Sequence, residues 1–233
     1  MQSNKKSYAN KSVYVVDGSR TPFLKTSGKP GSFSASDLAV LAGRALIARD
    51  SITIDIDAPV PVIIGCVMPS PDEVNIARII ALRLGFDEHV PAFTVQRNCA
   101  SGMQALDTTA RDIASGNAHL VLAGGTESMS RAPILLNAAM VNWLAGWLRA
   151  KGVVAKSKSL FALRPAFFAP VIGLLKGLSD PIVGMSMGQT AEKIAHRFGI
   201  SRQMMDSFAT RSHHRLAAAE KNGYFHDEME TIY

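Results

Sequence analysis

Short apolar strands alternate with helical segments through the first half of the chain, and this alternation restricts the fold more than any other feature. The predicted strands are 13–16, 62–67, 91–95 and 119–123. Helical periodicity extends over 36–46, 73–84 and 103–113, and Gly85 is predicted to end the second of these segments. Strands that are apolar almost throughout, with helices between them, indicate a mostly parallel sheet covered on both faces. The sequence therefore predicts an α/β core.

Cys99 stands where the third predicted strand turns into a helix. Met103, Leu106 and Ile113 recur after it at helical spacing, and Gly116 ends the segment. A helix N-terminus carries unpaired N–H groups and the positive end of the helix dipole, which favour the thiolate form of cysteine. The three residues that follow the cysteine are small, so a bulky acyl thioester can approach the sulfur. Two interpretations stay open: a nucleophile, or a small cysteine buried at a tight turn.

The size of the chain and its cysteine content restrict the class of protein further. With 233 residues, 47% of them hydrophobic, the chain can bury one large core or two smaller ones. Its two cysteines make neither a disulfide framework nor a Cys/His cluster, so we expect no metal and a reducing compartment. Residues 1–12 are polar and basic and lack an apolar stretch of signal-peptide length. This predicts a flexible N-terminus and a cytoplasmic protein.

Basic residues are concentrated in one part of the chain. The net charge is +6, and no Asp or Glu occurs between Ser128 and Ser179. Seven basic residues lie there: Arg131, Arg149, Lys151, Lys156, Lys158, Arg164 and Lys176. This distribution favours an anionic partner, such as a phosphorylated cofactor or an acidic lipid surface. Because the segment has no recognisable nucleic-acid-reading motif, no nucleic acid is expected as a partner.

The segment 140–176 is apolar, but it contains no stretch of the ~20 uncharged residues that a membrane-spanning helix needs. Trp143, Leu144, Trp147 and Leu148 lie on one face of a predicted helix. Such a face suits a membrane surface, an acyl chain or a protein partner, and it equally suits packing against the protein's own core.

A last helix is predicted to begin after Ser201. Met205, Phe208 and Leu216 are expected on its buried face. The histidines at 213–214 lie beside arginines on a polar stretch, so a solvated role is expected for them rather than a catalytic one.

Seven motifs carry a resemblance to a known family. They are Arg-Thr-Pro-Phe at 20–23, Asn-Ile-Ala-Arg at 75–78, Asn-Cys-Ala-Ser-Gly-Met-Gln-Ala at 98–105, Gly-Gly-Thr-Glu-Ser-Met-Ser at 124–130, Met-Gly-Gln-Thr-Ala-Glu at 187–192, Ser-Arg-Gln at 201–203 and Ala-Thr-Arg-Ser-His at 209–213. In this order they resemble the N-terminal part of a thiolase, an acetyl-CoA acyltransferase. The resemblance implies a thiolase-like α/β fold, with a first βαβαβαβ half over 13–127 and an inserted loop domain over 128–233. It implies further that this loop domain is incomplete at its C-terminal end and that the C-terminal half of the fold is absent from this chain.

The resemblance also implies a two-step acyl transfer. Cys99 attacks the keto carbonyl of a 3-oxoacyl-CoA, acetyl-CoA is released, and free CoA takes the acyl group from the cysteine; the reverse reaction condenses two acyl-CoA molecules. The backbone N–H of this cysteine is the family's donor to one oxyanion. Met187 matches a methionine that lines the acyl site, and Ser186 stands where many family members have a histidine. CoA is therefore expected as a co-substrate, with no permanently bound cofactor.

Several family residues have no counterpart in these 233 residues. In thiolases the second half supplies the Gly-His-Pro histidine, the asparagine of Asn-Glu-Ala-Phe and a second cysteine, and neither motif occurs here. Cys66 lies in a predicted strand, which is the wrong context for that second cysteine. General acid–base catalysis contributes roughly a hundred- to ten-thousandfold, so we expect little activity from this chain alone. A sheet that lacks its partner half is also expected to expose an apolar patch.

Two alternatives to a thiolase stay open. One is a non-catalytic fragment, or a module that binds a membrane or partner through 143–176. The other is a different condensing enzyme, since ketoacyl synthases also place a cysteine at a helix N-terminus, although the motifs at 124–130 and 187–192 favour thiolase. The long basic insertion after Met129 favours a thiolase of fatty-acid β-oxidation that acts on longer acyl chains or joins a multienzyme complex. Like other thiolases, the complete enzyme is expected to be a homo-oligomer.

Overall fold

The structure, a computed structural model, describes residues 12–26, 28–49 and 60–233. The strands within these residues are β1 (Val62–Gly65), β2 (Ala92–Val95), β3 (Leu122–Gly125), β4 (Ile134–Leu135) and β5 (Val171–Ile172). The α-helices are α1 (Ala35–Ile47), α2 (Ile76–Leu84), α3 (Ser101–Ser115), α4 (Ala138–Arg149), α5 (Val153–Phe161), α6 (Gly173–Gly177), α7 (Met187–Arg197) and α8 (Arg202–Lys221). Two short 3-10 helices cover Met129–Arg131 and Pro165–Phe168.

Three strands form one parallel sheet in the order β2-β1-β3. β1 lies in the middle, with Val62 beside Ala92 of β2 and beside Leu122 of β3. Parallel neighbours need crossover connections, and here α2 follows β1 and α3 follows β2. The α/β fold with a parallel sheet, as predicted from the sequence, is confirmed.

Helices cover both faces of this sheet. All four residues of β1 are buried. Val62 and Ile64 belong to a core cluster with residues of α1 and α2, whereas Gly65 points to the opposite face and lies against α3. The cluster consists of Ala35, Val40, Val60, Val62, Ile64, Cys66, Ile76, Ala77, Ile80, Ala81, Phe86 and Val90. Full burial of each large side chain in it contributes about 1.5–3 kcal/mol, so this layer is a principal source of stability.

The ends of the helices follow local sequence signals. The Ser34 hydroxyl accepts from the Asp37 N–H, and the Asp37 carboxylate accepts from the Ser34 N–H, which makes a capping box at the start of α1. α2 and α3 end at Gly85 and Gly116, whose φ angles are 91° and 80°. The sequence predicted both glycine ends, but it placed the start of α1 slightly late, at Ser36.

Ser36 instead joins α1 to the segment around α2. Its side chain is fully buried, donates to Glu73 and accepts from an Arg83 nitrogen at 2.6 Å. The same guanidinium donates to the Asp37 carboxylate at 2.7 Å. A buried hydroxyl with two partners is stable, and this explains why Ser36 lies inside the helix rather than at its cap.

The strand predicted at 13–16 is irregular in the structure, so that prediction is wrong. Tyr14 is 78% exposed and Val15 is 88% exposed. No strand in the described part of the chain pairs with this segment. β-Branched and aromatic residues give this segment its β-propensity, but a strand also needs neighbours for its backbone N–H and C=O groups.

The buried face predicted for the last helix is also wrong. α8 has no buried residues, and Met205, Phe208 and Leu216 are 37%, 66% and 51% exposed. Periodicity identifies which face of a helix is apolar, but burial depends on a neighbouring element that the pattern does not specify. The helix does begin as predicted, because the Ser201 hydroxyl accepts from the Met204 N–H at 3.2 Å.

The chain divides into two compact units. The first contains the residues up to Arg131 together with Ala209–Tyr233, and the second contains Ala132–Phe208. The sequence prediction assigned all of 128–233 to one loop region, whereas the structure groups the residues from Ala209 onward with the first unit. The antiparallel pair β4–β5 and helices α4 to α7 lie in the second unit.

Backbone and charge contacts attach the C-terminal residues to the first unit. The Arg20 N–H donates to the Glu228 carbonyl at 2.7 Å, and the Glu230 N–H donates to the Arg20 carbonyl at 2.9 Å. The Arg20 side chain pairs with the Glu228 carboxylate and lies 4.9 Å from the ring centroid of Phe225. Arg49 adds an ion pair to Glu230 at 2.6 Å.

Candidate active site

Cys99 lies in a tight turn between β2 and α3. The Ala100 N–H donates to the Arg97 carbonyl at 3.1 Å, and the Ser101 N–H donates to the Asn98 carbonyl at 3.0 Å. Asn98 has a φ of +48°, a conformation that asparagine adopts more readily than most residues. The turn exposes Cys99, so the alternative of a small buried cysteine is wrong for this residue. Its role as the nucleophile stays a prediction.

Ser101 fixes this turn from inside. Its hydroxyl donates to the Asn98 carbonyl at 2.7 Å and accepts from the Arg97 N–H at 2.9 Å. The residue is only 4% exposed, so water competes little for these bonds. Arg97 also donates to Gln104 at 2.9 Å, one turn into α3. The residues on both sides of Cys99 are therefore held by the helix that follows.

Glycines allow the first turn of α3 to lie directly on the sheet. A Cβ atom on Gly65 would lie 2.3 Å from the Ser101 carbonyl carbon and 2.6 Å from the Gly102 nitrogen. A Cβ atom on Gly125 would lie 3.2 Å from the Gly102 Cα. Because Gly65 and Gly125 end β1 and β3, α3 begins at the carboxyl edge of the sheet. Open α/β sheets place their ligand sites at this edge.

Glu127 links the ends of β1 and β3. Its carboxylate accepts from the Val67 N–H at 2.8 Å and from the Met68 N–H at 3.3 Å. One residue earlier, the Thr126 N–H donates to the Gly65 carbonyl at 3.0 Å. Sequence reasoning missed this role and used Glu127 only as part of a family motif. The available signal was a carboxylate two residues after the end of a short strand.

The rest of the motif at 124–130 holds the loop before α1. The Thr126 hydroxyl donates to the Ala35 carbonyl at 2.6 Å, and the Ser128 hydroxyl donates to the Phe33 carbonyl at 2.9 Å. The Ser130 hydroxyl accepts from the Gly31 N–H at 2.9 Å. The segment after β3 thus contacts both the turn after β1 and the start of α1 with the loop before it.

Cys66 follows β1 and differs from Cys99 in its surroundings. It is 1% exposed, and its sulfur lies 3.8 Å from a Glu127 oxygen. Burial, reinforced by the Glu127 charge, raises the pKa of the Cys66 thiol to about 12. A thiol in this state is protonated near neutral pH and is a poor nucleophile.

Met187 is the first residue of α7 and is 48% exposed. Ser186 caps this helix: the Gln189 N–H donates to its hydroxyl at 3.3 Å, and the Ser186 N–H donates to the Gln189 side chain at 2.9 Å. Met187 belongs to the second unit, whereas Cys99 belongs to the first. The acyl-site role of Met187 stays a prediction.

No group of three or more His, Cys, Asp or Glu side chains that could hold a metal ion occurs in the part of the chain that the structure describes.

Comparison with known proteins decides the family. A model of the family described as "Thiolase, N-terminal domain" matches residues 13–232. The chain belongs to the thiolase family. A curated thiolase of Yersinia pestis, named 3-ketoacyl-CoA thiolase, is 34% identical over 221 residues, which are 95% of this chain and 50% of the relative. The chain therefore spans about half the length of the curated thiolases it matches.

Solved thiolase structures share this fold. The human mitochondrial 3-ketoacyl-CoA thiolase in complex with CoA matches with a TM-score of 0.74 and 32% identity, over 94% of this chain and 50% of that one. The Acat5 thiolase of Ascaris suum in complex with coenzyme A matches with a TM-score of 0.76 and 28% identity, over 95% and 52%. The thiolase-like fold predicted from the motifs is confirmed.

The second unit of this thiolase has an apolar and basic surface on α4 and α5. Trp143 and Trp147 stack at 5.6 Å, the Trp143 indole donates to the Ser159 carbonyl at 2.8 Å, and Lys156 lies 5.9 Å from the Trp147 ring centroid. Both tryptophans are half-buried, so part of the predicted amphipathic face packs within the unit. Leu148 is 81% exposed.

More apolar side chains on the same two helices are exposed. Val153, Val154 and Phe161 are 81%, 71% and 92% exposed. None of the helices in the described ranges is long and apolar enough to cross a membrane. We call the exposed side chains Leu148, Val153, Val154 and Phe161, with Arg149, Lys151, Lys156 and Lys158, the α4–α5 surface.

Proposed function

We propose that Cys99 is the acyl-accepting nucleophile of a thiolase-type acyltransferase. The observation that carries the proposal is the exposed thiol in the turn before α3, held through Ser101 at the carboxyl edge of the sheet. Ala100 and Gly102 beside it are small enough to admit a thioester. The positive end of the α3 dipole lies beside the thiol and favours a developing oxyanion.

The proposed reaction has two steps. In the first, the Cys99 thiolate attacks the C3 carbonyl carbon of a 3-oxoacyl-CoA and the C2–C3 bond breaks. The electron pair leaves on C2, which takes up a proton as acetyl-CoA departs. In the second step, the deprotonated sulfur of CoA attacks the acyl thioester, and the bond between the acyl carbon and Cys99 breaks to restore the thiolate.

In this proposal, the residues that transfer the protons lie in the half of the related thiolases that this chain does not span. Two facts support this assignment. The chain covers 50% of its curated relatives, and the Gly-His-Pro and Asn-Glu-Ala-Phe motifs of the family do not occur in its 233 residues. The complete two-half protein is therefore the proposed catalyst, and this chain alone is expected to be nearly inactive.

The proposed substrates are a 3-oxoacyl-CoA and CoA, in fatty-acid β-oxidation. The name 3-ketoacyl-CoA thiolase of the relatives supports the substrate class, and complexes of related thiolases with CoA support the co-substrate. The basic residues between Ser128 and Ser179 suit the phosphates of CoA. We also propose a homo-oligomer located in the cytoplasm, where two unpaired cysteines stay reduced.

The test is a thiolysis assay on the chain combined with the C-terminal half of a related thiolase. We expect CoA-dependent cleavage of acetoacetyl-CoA by the pair and only background cleavage by either part. Cys99→Ala is expected to lower the rate by at least about a thousandfold, whereas Cys66→Ala, the matched control, retains most of it. Full activity of the Cys99→Ala variant contradicts the proposal.

A second proposed function is peripheral binding to an acidic lipid membrane through the α4–α5 surface. Four exposed apolar side chains lie among four basic residues in a segment without any acidic residue. Apolar groups that enter the headgroup region and basic groups that attract anionic lipid act together in such surfaces. Each basic residue near the surface contributes about 1 kcal/mol at moderate salt.

Co-sedimentation with vesicles tests this second proposal. We expect binding to phosphatidylglycerol vesicles that weakens at high salt, and no binding to phosphatidylcholine vesicles. The double variant Leu148→Ser, Phe161→Ser is expected to lose binding, while Phe198→Ser, which changes another exposed aromatic side chain outside this surface, retains it. Absence of binding to the acidic vesicles at every salt concentration overturns the proposal and leaves an acyl chain or a protein partner as the use of the surface.

A further inference from the structure

The carboxylate of Glu127 sits at the centre of a chain of contacts that leads to Cys99. It accepts from the backbone N–H groups of Val67 and Met68, at 2.8 and 3.3 Å, and so fixes the turn after β1. A carboxylate that accepts two backbone N–H bonds is a strong anchor, because both bonds are charge-assisted.

The next contact lies on β1 itself. Gly65, the last residue of that strand, bonds through its carbonyl to the Thr126 N–H at 3.0 Å. The first turn of α3 fills the space where a Gly65 side chain would be, with Ser101 and Gly102 in direct contact. Any displacement of the end of β1 is therefore transmitted to the start of α3, because the packing leaves no gap.

The last contact reaches the cysteine turn. Ser101 bonds to Asn98 and Arg97, the two residues before Cys99, at 2.7 and 2.9 Å. Movement of Ser101 thus moves the backbone that carries the Cys99 thiol. The route from Glu127 to the sulfur passes only through backbone groups, a glycine contact and one buried hydroxyl.

We propose that Glu127 is a positioning residue for Cys99, acting through the turn after β1 and the first turn of α3. This inference rests on the proposed function, in which Cys99 accepts the acyl group. Glu127 itself touches no substrate in this proposal. Its carboxylate sets where the thiol lies relative to the helix N-terminus, and misplacement by about 1 Å can lower a reaction rate about a hundredfold.

The test compares Glu127→Ala and Glu127→Gln with a matched control, Ser128→Ala, in the full 233-residue chain. Ser128 lies in the same segment, but its hydroxyl bonds to Phe33 in a different loop. Two readouts are used: amide hydrogen exchange over 66–68 and 99–102, and the rate of alkylation at Cys99 by iodoacetamide. Peptide mass mapping measures the Cys99 adduct separately from any adduct on Cys66, whose sulfur lies beside Glu127.

For Glu127→Ala we expect faster exchange in both segments and alkylation of Cys99 slowed roughly tenfold, because the sulfur is no longer held in the exposed position that the first turn of α3 gives it. Glu127→Gln keeps one acceptor oxygen and is expected to give a smaller change in the same direction. If Glu127→Ala fails to fold, the exchange and alkylation rates of Glu127→Gln alone test the inference. Ser128→Ala is expected to leave the Cys99 rate unchanged.

Two results overturn the inference. One is an unchanged Cys99 rate in a Glu127 variant whose 66–68 amides exchange faster. The other is equal slowing by Ser128→Ala, which indicates general loosening of the edge. Alkylation needs no thiolase substrate, so this test does not depend on the proposed function. The proposed function fails if no acyl group forms on Cys99 when the wild-type chain is combined with a C-terminal half.

Discussion

At the residue scale, the two cysteines of this chain have opposite environments. Cys99 is exposed in a turn made from Asn98 and small residues, whereas Cys66 is packed in the core beside Glu127. Burial removes water from the Cys66 thiol, and the nearby carboxylate disfavours a second negative charge. The structure thus separates one accessible thiol from one inert thiol.

Alkylation of the native chain tests this difference. At pH 8, iodoacetamide is expected to add one group to Cys99 and none to Cys66, because the raised pKa of about 12 and the burial of Cys66 both suppress its reaction. Peptide mass mapping locates the adduct, and denaturation before labelling is expected to give two adducts. Faster labelling of Cys66 than of Cys99 in the native chain contradicts this account.

Gly65→Ala tests the contact between the sheet and α3. The added Cβ overlaps the Ser101 carbonyl and the Gly102 nitrogen, so the helix start has to move. We expect a loss of about 1–3 kcal/mol in the free energy of unfolding and slower Cys99 alkylation. Gly18→Ala is the control, since no atom lies within 4 Å of its added Cβ. Denaturant unfolding measures the stability of both variants, and equal stability of the two refutes the close contact.

At the element scale, local sequence signals predicted where helices end. Strand pairing and helix burial depended instead on contacts with other elements. The helix ends at Gly85 and Gly116 could be predicted, because a glycine C-cap depends only on residues close in sequence. The structure of segment 13–16 and the exposure of the apolar face of α8 could not be predicted, because strand pairing and helix burial depend on distant parts of the chain. The same limit applies to the site: the sequence located Cys99, but the role of Glu127 required the register of β1 and β3.

Asp37 makes the cap of α1 sensitive to acid. Burial raises its pKa, but hydrogen bonds from Ser34 and Arg83 outweigh this effect, and the net pKa is lowered from 3.8. A lowered folded-state pKa means that the contribution to stability is complete well above pH 4 and is lost as the pH falls through the folded-state value.

We therefore expect Asp37→Asn to destabilise the chain at pH 7 and to make its free energy of unfolding depend less on pH between about 5 and 3. Urea unfolding at several pH values measures this. Glu88→Gln, at an exposed position, is the control for removing one acidic group and is expected to keep the wild-type slope. An unchanged slope in Asp37→Asn contradicts the assignment.

At the scale of the whole molecule, contacts between distant segments define the first unit. Residues 225–230 pair with the loop around Arg20, which lies more than two hundred positions earlier in the chain. The alternation of apolar strands with helices predicted the parallel sheet and the motifs indicated the family, but the resemblance assigned these C-terminal residues to the loop region. That pairing depends on one bridge between Arg20 and Met229 and a few ion pairs, which leave no periodic signal.

Arg20→Ala tests this attachment. The variant loses the ion pair with Glu228 and the contact with Phe225, while the two backbone bonds remain available. We expect faster hydrogen exchange at the Glu230 N–H and only a small change in overall stability, about 1 kcal/mol or less. Arg202→Ala, which breaks an exposed pair within α8, is the control and is expected to leave Glu230 unchanged. Unaltered exchange at Glu230 in the Arg20 variant contradicts the expected role.

The central claim is that Cys99 accepts the acyl group, and trapping the acyl-enzyme tests it most directly. The chain is mixed with the C-terminal half of a related thiolase and acetoacetyl-CoA, quenched in acid, and mapped by peptide mass. We predict an acetyl group on the Cys99 peptide that added CoA removes and that is absent from Cys99→Ala. An acetyl group on Cys66, or turnover in Cys99→Ala at the wild-type rate, contradicts the account.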